Sequence, residues 1–189
     1  MEMEYGNFGQ RLAVHSAPTL LGIKCASLLS LRCKEFDVDG DSAAFNRRVA
    51  AKGLRSRILC RCTERALLLI YHEKLLTARL SDVQVCRMLE ECGYPIAEGL
   101  DACLGKLSER IAECEDFPHE IGIFLGYPME DVIGFIENKG ENYKFCGFWK
   151  VYGCEEAAQR TFSNYKKCRN FLCNKLNEGA DIYQALKIS

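Results

Sequence analysis

The chain has 189 residues, 48% of them hydrophobic and 27% charged, with a formal net charge of −1 at pH 7. This composition is typical of a globular protein with a sizeable core, and it excludes a strong overall field for nucleic acid or a membrane surface. The longest apolar run, Ala66 to Tyr71, is far below the roughly 20 residues that a membrane-spanning helix needs, and the acidic N-terminus lacks the apolar core of a signal peptide. We expect a cytoplasmic protein without membrane contact, folded as one domain over residues 1–189, with a flexible N-terminus over residues 1–14.

The twelve cysteines would indicate disulfides in a secreted protein, but in a reducing cytosol they are expected to be thiols. No Cys-x-x-Cys pair is present, and the closest spacing is Cys60-Arg61-Cys62. Zinc ribbons and iron–sulfur clusters need paired short spacings, so the sequence favours small buried hydrophobic roles for most cysteines. A site assembled from cysteines distant in sequence stays open.

The first half of the chain is predicted to contain two helices and a strand hairpin. Apolar residues with broadly helical spacing predict a helix from about Ala17 to Leu31, and a second helix ends near Lys52, just before a glycine. The segment RSRILCRC alternates apolar and polar residues, and ERALLLIY is continuously apolar like a central strand. The short polar link between them predicts an antiparallel hairpin.

The second half is mainly helical in pattern, with three amphipathic segments in HEKLLTARL, SDVQVCRMLEECG and AEGLDACLGKLSERIAE. The stretch DFPHEIGIFLGYPMEDVIGFI then predicts a helical hairpin, broken at its Gly-Tyr-Pro. In the second helix of this hairpin, Met129, Val132, Ile133 and Ile136 follow the i, i+3, i+4, i+7 pattern. This spacing predicts that the four side chains pack on the core.

The segment FCGFWKVYG has strand composition and is predicted to extend the earlier hairpin to three strands, before a long closing helix. The expected fold class is therefore α+β and mainly α-helical, a single domain with a small antiparallel sheet of about three strands packed by helices.

The helical hairpin resembles a helix-turn-helix in its apolar framework, but its charges oppose nucleic acid. A DNA-reading second helix must approach phosphates and base edges. This helix carries Glu130, Asp131 and Glu137 against a single Lys139. We therefore expect no DNA binding by residues 119–138.

His119 is the first candidate functional residue. It is flanked by Glu115, Asp116 and Glu120, whose carboxylates favour a charged imidazolium, while a helix start opposes that charge. A histidine under opposed influences can act as an acid–base group or a metal ligand, with Glu120 as a further catalytic candidate. The alternative is a histidine that holds the turn through a hydrogen bond to the backbone.

Cys146, Trp149, Lys150 and Tyr152 form a second candidate set. In the predicted strand, Cys146, Lys150 and Tyr152 would share one face, with Trp149 on the other. Lys150 beside aromatic neighbours could be a desolvated amine or an anion ligand, or it could extend to solvent. Cys146 could work with His119 as a nucleophile and base, or the two could bind a metal. The sequence alone leaves these alternatives open.

FPHEIGIFLGYPMEDVIGFIENKG followed by CGFWKVYG resembles the signature of a family of uncharacterised proteins of similar length from anaerobic Firmicutes, described as a domain of unknown function. HSAPTLLGIKCASLL resembles its N-terminal part, so the resemblance covers nearly the whole chain. It implies a role in the iron or redox physiology of an anaerobe, although the family brings no established cofactor; iron, haem or a small anion are the ligands that such a role suggests. It also implies a pocket shared by polar motif residues, namely His15, Lys24, His119, Glu120, Lys150 and Tyr152.

Three hypotheses of function follow. The first is a cytosolic ligand-binding or accessory protein with a polar His/Glu/Lys pocket, whose partner is a small ligand or a protein. The second is an enzyme that uses His119 as an acid–base group with Cys146 or Lys150. The third is a structural or protein-interaction module with no small-molecule site.

Overall fold

A computed structural model describes residues 7–113 and 117–188 of the chain. The chain forms two compact units, one of Met1–Glu73 with Tyr165–Ser189, and one of Lys74–Asn164. The single domain expected over residues 1–189 stays a prediction. Of the N-terminal segment expected to be flexible, residues 1–6 lie outside the described residues, and residues 8–14 belong to a helix.

The first unit is built on a three-stranded antiparallel sheet. Its elements in chain order are α1 (Phe8–Leu20), β1 (Ala26–Arg32), α2 (Val38–Val49), β2 (Leu54–Arg61) and β3 (Arg65–His72). The strand order is β1-β3-β2, so the continuously apolar β3 is the central strand, as its sequence predicted. A register shift between Ile58 and Cys60 interrupts the pairing of β2 with β3. The β2–β3 hairpin is confirmed.

The predicted helix from Ala17 to Leu31 is wrong, because α1 ends at Leu20 and β1 occupies the second half of that range. Gly22 adopts a φ of 71°, a left-handed conformation that glycine takes readily, and it turns the chain after the helix. Beyond the turn, burial alternates along the strand, so that Leu29 and Leu31 are buried while Ser30 between them is half-exposed. This two-residue period is that of a strand.

The core of the first unit packs α1, α2 and the end of the chain against the sheet. Its fully buried members include Leu12 of α1, Phe45 of α2 and Leu68 of β3. Leu172 joins them from α8 (Glu155–Asn177), as does Ile182 from α9 (Ile182–Ala185). Burying each such side chain contributes roughly 1.5–3 kcal/mol, which makes this cluster the main source of the unit's stability.

The second unit is helical apart from one short hairpin. Its elements are α3 (Glu73–Leu80), α4 (Val83–Glu91), α5 (Leu100–Glu113), α6 (Ile121–Phe124), α7 (Met129–Glu137), β4 (Phe145–Cys146), β5 (Lys150–Val151) and the first part of α8. The predicted extension of the large sheet by FCGFWKVYG is wrong, because this segment pairs with itself as β4 and β5. The third strand of the large sheet is β1 instead.

The face of α7 that packs inward differs from the predicted stripe. Asp131 and Val132 are each 3% exposed, whereas Ile133 and Ile136 are 40% and 38% exposed. Gly134 is also buried, because the ring of Tyr152 lies directly over it, and a Cβ there would sit 2.5 Å from Tyr152 Cγ. The inward face is thus shifted by about one residue, or about 100° around the helix.

The fold class predicted from the sequence, α+β and mainly α-helical with a three-stranded antiparallel sheet, is confirmed. Within the two described ranges, no helix has both the length and the apolar character needed to cross a membrane.

Candidate functional site

A cavity of about 390 Å³ opens in the second unit, between α7 and the β4–β5 hairpin. His119, Cys146 and Lys150, three of the residues singled out from the sequence, all line it. The rest of its wall is mainly aromatic and aliphatic, with rings from Phe117, Tyr127, Phe135, Phe148 and Trp149. The structure therefore brings the principal candidates together, in a pocket that is more aromatic than the sequence predicted.

The turn between α6 and α7 supplies one wall of the cavity. Gly126 ends α6 with a φ of 73°, and Tyr127 N–H then donates to Gly122 O at 2.9 Å. Pro128 caps the start of α7, where a missing N–H is tolerated. A Cβ on Gly122 would lie 3.0 Å from Val132 Cγ2, so glycine allows α6 and α7 to approach closely.

Asp131 fastens the hairpin to α7. Its Oδ2 accepts a hydrogen bond from Trp149 Nε1 at 2.7 Å, and its Oδ1 accepts from the backbone N–H groups of Tyr152 and Gly153 at 2.7 and 2.8 Å. The position in the first turn of α7 also places this carboxylate at the positive end of the helix dipole. Asp131 thus fixes both the hairpin and the indole that forms the cavity wall.

Stacked aromatic rings hold Trp149 in place. The rings of Tyr127 and Trp149 stack with centroids 4.9 Å apart at an interplanar angle of 26°. Phe162 meets the other side of the indole edge-on, with centroids 4.4 Å apart. Gly147 makes room for this ring, since a Cβ at that position would overlap Phe162. The indole of the cavity wall is therefore packed between two aromatic rings.

Cys146 and Lys150 face each other across the hairpin as directly paired residues of β4 and β5. Paired positions in an antiparallel ladder share one face, so the two side chains are neighbours although the predicted single strand is a hairpin. The Lys150 ammonium donates to Gly140 O at 2.7 Å and lies 4.9 Å from the centroid of the Tyr143 ring. Cys146 is exposed.

Tyr152, predicted to share this face, instead packs over Gly134 with a buried hydroxyl that has no hydrogen-bond partner among the described residues.

His119 lies at the edge of the cavity, exposed, with its ring edge-on to Phe135 at a centroid distance of 5.0 Å. The acidic neighbours Glu115 and Asp116, on which the prediction of a charged imidazolium depended, lie outside the described residues. The aromatic contact fixes the position of the ring while leaving part of it open to a ligand.

Glu120 does not line the cavity. It is 5% exposed, and its Oε1 accepts hydrogen bonds from Arg110 Nε at 2.5 Å and from the Tyr94 hydroxyl at 3.0 Å. Burial, together with the Glu120 charge and hydrogen bond, raises the pKa of Tyr94. Glu120 therefore ties the turn before α6 to α5 and to the segment after α4, while its sequence neighbour His119 faces the cavity.

His15 and Lys24 belong to the first unit, in α1 and in the turn before β1. Partial burial and the guanidinium groups of Arg11 and Arg169 lower the pKa of His15. The Lys24 ammonium lies 5.6 Å from the centroid of the Tyr165 ring, and burial lowers the pKa of Lys24 from 10.5 to about 8. Neither residue is part of the cavity wall.

We expect the lowered pKa of Lys24 to make the protein more stable as pH rises. The unfolded chain binds more protons than the folded chain between about pH 8 and pH 10.5, so the free energy of unfolding increases across this window. Relative to a Lys24→Met variant, the wild type should gain on the order of 2 kcal/mol, less than the full shift converts to because the side chain is only partly enclosed. Urea titrations of both proteins at several pH values measure the gain. A constant difference between the two proteins across the window would contradict the lowered pKa.

The cysteines are more accessible than predicted. Of the eleven that the structure describes, two are buried, six are half-buried and three are exposed, so the expectation that most are buried hydrophobic residues is wrong. In the ranges 7–113 and 117–188, no group of three or more His, Cys, Asp or Glu side chains is placed to hold a metal ion. At the cavity, His119 and Cys146 supply two donors, which is fewer than a bare iron ion needs.

The aromatic walls are the part of the site that the sequence argument missed. Phe135 and Phe148 line the cavity, although the sequence pattern indicated neither as a site residue, whereas Trp149 of the wall belonged to the second candidate set. The available signal was the density of aromatic residues between positions 117 and 149. Small-molecule sites are lined mainly by apolar and aromatic side chains, whereas the side chains that indicate chemistry in a sequence are mostly ionisable.

Residues 12–186 match the model of a family described as "Protein of unknown function (DUF3793)". Comparison with curated proteins gave no match, and neither did comparison with solved structures. The matched range includes all residues of the cavity and all three strands of the large sheet. On this match over nearly its whole length, the chain belongs to the DUF3793 family of proteins of unknown function.

Proposed function

We propose that the second unit binds a small, flat, negatively charged molecule in the cavity beside α7. The observation that carries this proposal is the pairing of a preformed aromatic wall, fixed by Asp131, with the Lys150 ammonium in one cavity. At about 390 Å³ the cavity lies within the range of small-molecule sites, which begins at roughly 300 Å³. Trp149 is itself stacked on Tyr127 and only 8% exposed, so the rings open to a flat ligand are the partly exposed Phe117 and Phe148 of the cavity wall, at 43% and 41%.

The charges at the cavity favour an anion. Asp131 is the one acidic residue of the described wall, and its carboxylate already accepts three hydrogen bonds. The Lys150 ammonium has three N–H donors and donates one of them to Gly140 O. The other two could donate hydrogen bonds to oxygens of a ligand. His119 adds a second nitrogen-bearing side chain at the edge of the cavity.

Flavin mononucleotide (FMN) and haem are flat, anionic redox molecules of this class, so the proposal keeps the redox role that the family resemblance implied. If haem were bound, His119 is the residue that would hold its iron. The bound group would supply the electron transfer, and the protein would supply stacking surfaces, charge and shelter from water. We place this function in the cytoplasm, where the exposed cysteines would stay reduced.

Trp149 is the single tryptophan of the chain, so intrinsic fluorescence reports directly on the cavity. We expect FMN to quench this fluorescence saturably, and riboflavin, which lacks the phosphate, to bind roughly tenfold more weakly. Lys150→Met should remove most of this preference. The matched control is Lys144→Met, because Lys144 lies in the same segment and also donates to a backbone carbonyl, that of Gly153, but does not line the cavity.

Equal affinity for FMN and riboflavin in the wild type would refute an anion site, and equal effects of the two lysine variants would refute the role of Lys150. A parallel titration with haemin, followed by its Soret band, tests the haem alternative. A Soret shift lost in His119→Ala would select haem over the flavin. Absence of saturable binding by both molecules would overturn the proposal.

A further inference from the structure

A second cavity, of about 370 Å³, lies in the first unit and shares no lining residue with the site candidates discussed above. It is enclosed by the end of α1, the start of β2, the last residue of β3, α8 and the segment that follows α9. Its volume falls within the small-molecule range, which starts at roughly 300 Å³.

The floor of this cavity is apolar and well packed. Leu20, Leu54 and Leu186 line it with exposures of only 6%, 2% and 8%. Phe171, in contrast, is 47% exposed on α8 and also lines the cavity. An aromatic side chain left this open beside buried leucines gives an extended apolar surface that a hydrocarbon chain could cover.

All ionisable side chains on this wall are bases. They are Lys52, His72 and Lys187, and no acidic residue of the described chain lines the cavity. Lys187 is held in a left-handed conformation with a φ of 54°, which is uncommon for a residue other than glycine. Hydrogen bonds from Lys187 N–H to Gln184 O at 3.0 Å and from Ile188 N–H to Tyr183 O at 2.9 Å hold this turn.

We propose that this cavity binds an unbranched medium-chain carboxylate, with the hydrocarbon chain on the leucine floor and the carboxylate between Lys52 and Lys187. Charge complementarity selects this occupant. An inorganic anion would leave the apolar floor uncovered, and an uncharged apolar chain would gain nothing from the two lysines at its rim. A carboxylate with a hydrocarbon tail satisfies both parts of the wall, with each buried CH₂ contributing about 0.8 kcal/mol.

The test is isothermal titration calorimetry of the full chain with sodium decanoate, and with decylamine as a ligand of equal length and opposite charge. We expect decanoate to bind and decylammonium not to bind. Replacing both lysines, Lys52→Gln with Lys187→Gln, should weaken decanoate binding by roughly tenfold. Lys166→Gln with Lys167→Gln makes the same change in net charge at two exposed lysines of α8 outside the cavity, and should leave binding within about twofold.

Lys52 and Lys187 are exposed, so both variants should fold, which thermal unfolding monitored by circular dichroism checks. Binding of decylammonium as tightly as decanoate would overturn the proposal, as would decanoate binding that is insensitive to the Lys52/Lys187 pair. A change in Trp149 fluorescence on adding decanoate that is removed by Lys150→Met would place the ligand in the other cavity and also overturn it.

Discussion

Replacing Asp131 by Ala should lower the free energy of unfolding by about 4 kcal/mol, because the change leaves three donors without their common acceptor. The carboxylate is 3% exposed and accepts from the Trp149 indole and from two backbone N–H groups of the segment after β5. Water cannot easily replace it, since the site is enclosed. Asp131→Asn should cost roughly half as much, because one amide oxygen remains but the amide NH₂ would meet the indole N–H.

Urea unfolding followed by far-ultraviolet circular dichroism measures these losses, and Trp149 fluorescence reports the local effect. In Asp131→Ala we expect the emission maximum to shift to longer wavelength, as the indole becomes accessible to water. Glu130→Ala is the matched control. Glu130 is exposed, one position away, and accepts only a 3.4 Å hydrogen bond from Cys154 N–H, so its loss should cost less than about 1 kcal/mol. An Asp131→Ala loss as small as the Glu130→Ala loss would show that Asp131 does not hold the hairpin.

Glu120→Ala should destabilise the protein by about 3 kcal/mol, because it removes a buried carboxylate that pairs with the half-buried Arg110 guanidinium. The Tyr94 hydroxyl would lose its acceptor at the same time. Most of this loss should come from the desolvation of the Arg110 guanidinium, which the missing carboxylate no longer offsets, and less from the attraction within the pair. Replacing both partners by leucine should therefore recover much of the loss, whereas Arg110→Leu alone should not.

Thermal and urea unfolding of wild type, Glu120→Leu, Arg110→Leu and the double leucine variant form a double-mutant cycle that measures the coupling between Glu120 and Arg110. Glu109→Ala provides the control. Glu109 is paired with Lys106 at 3.2 Å on the exposed side of α5, where an ion pair contributes less than about 1 kcal/mol. A coupling energy near zero would contradict the anchoring role of Glu120 and reopen its use as a functional carboxylate.

The elements with a clear period were predictable. The β2–β3 hairpin followed from an alternating run beside a continuously apolar one, and α3, α4, α5 and α7 followed from their apolar spacing. The strand β1 was not predictable, because its leucines also fit a loose helical pattern when read together with the end of α1. Only the turn at Gly22 separates the two elements, and a single glycine is a weak signal in sequence.

The candidate site was predictable in its chemistry but not in its walls. His119, Cys146 and Lys150 were selected as reactive groups, and one cavity contains all three. Glu120 was expected to line the same cavity, but although it follows His119 directly in sequence, its side chain is not part of the cavity wall and accepts a hydrogen bond from Arg110. Tyr127 stacks on Trp149 only because the β4–β5 hairpin packs against α7. The spacing of apolar residues along the sequence does not predict such a contact between distant segments. The enzyme hypothesis for these residues stays a prediction.

The irregularity in β2 has a consequence for self-association. A three-stranded open sheet exposes backbone N–H and C=O groups along its outer strands, and long flat outer strands template the addition of further chains. The register shift between Ile58 and Cys60 breaks the straight run of these groups, and Arg55, Arg57 and Arg61 place charge along the same strand. If β2 of a second molecule paired with this strand, its hydrogen bonds would have to follow the register shift. Its arginines would also lie beside those of the first molecule, where like charges repel. The bulge therefore makes β2 a poor template for the addition of a further strand.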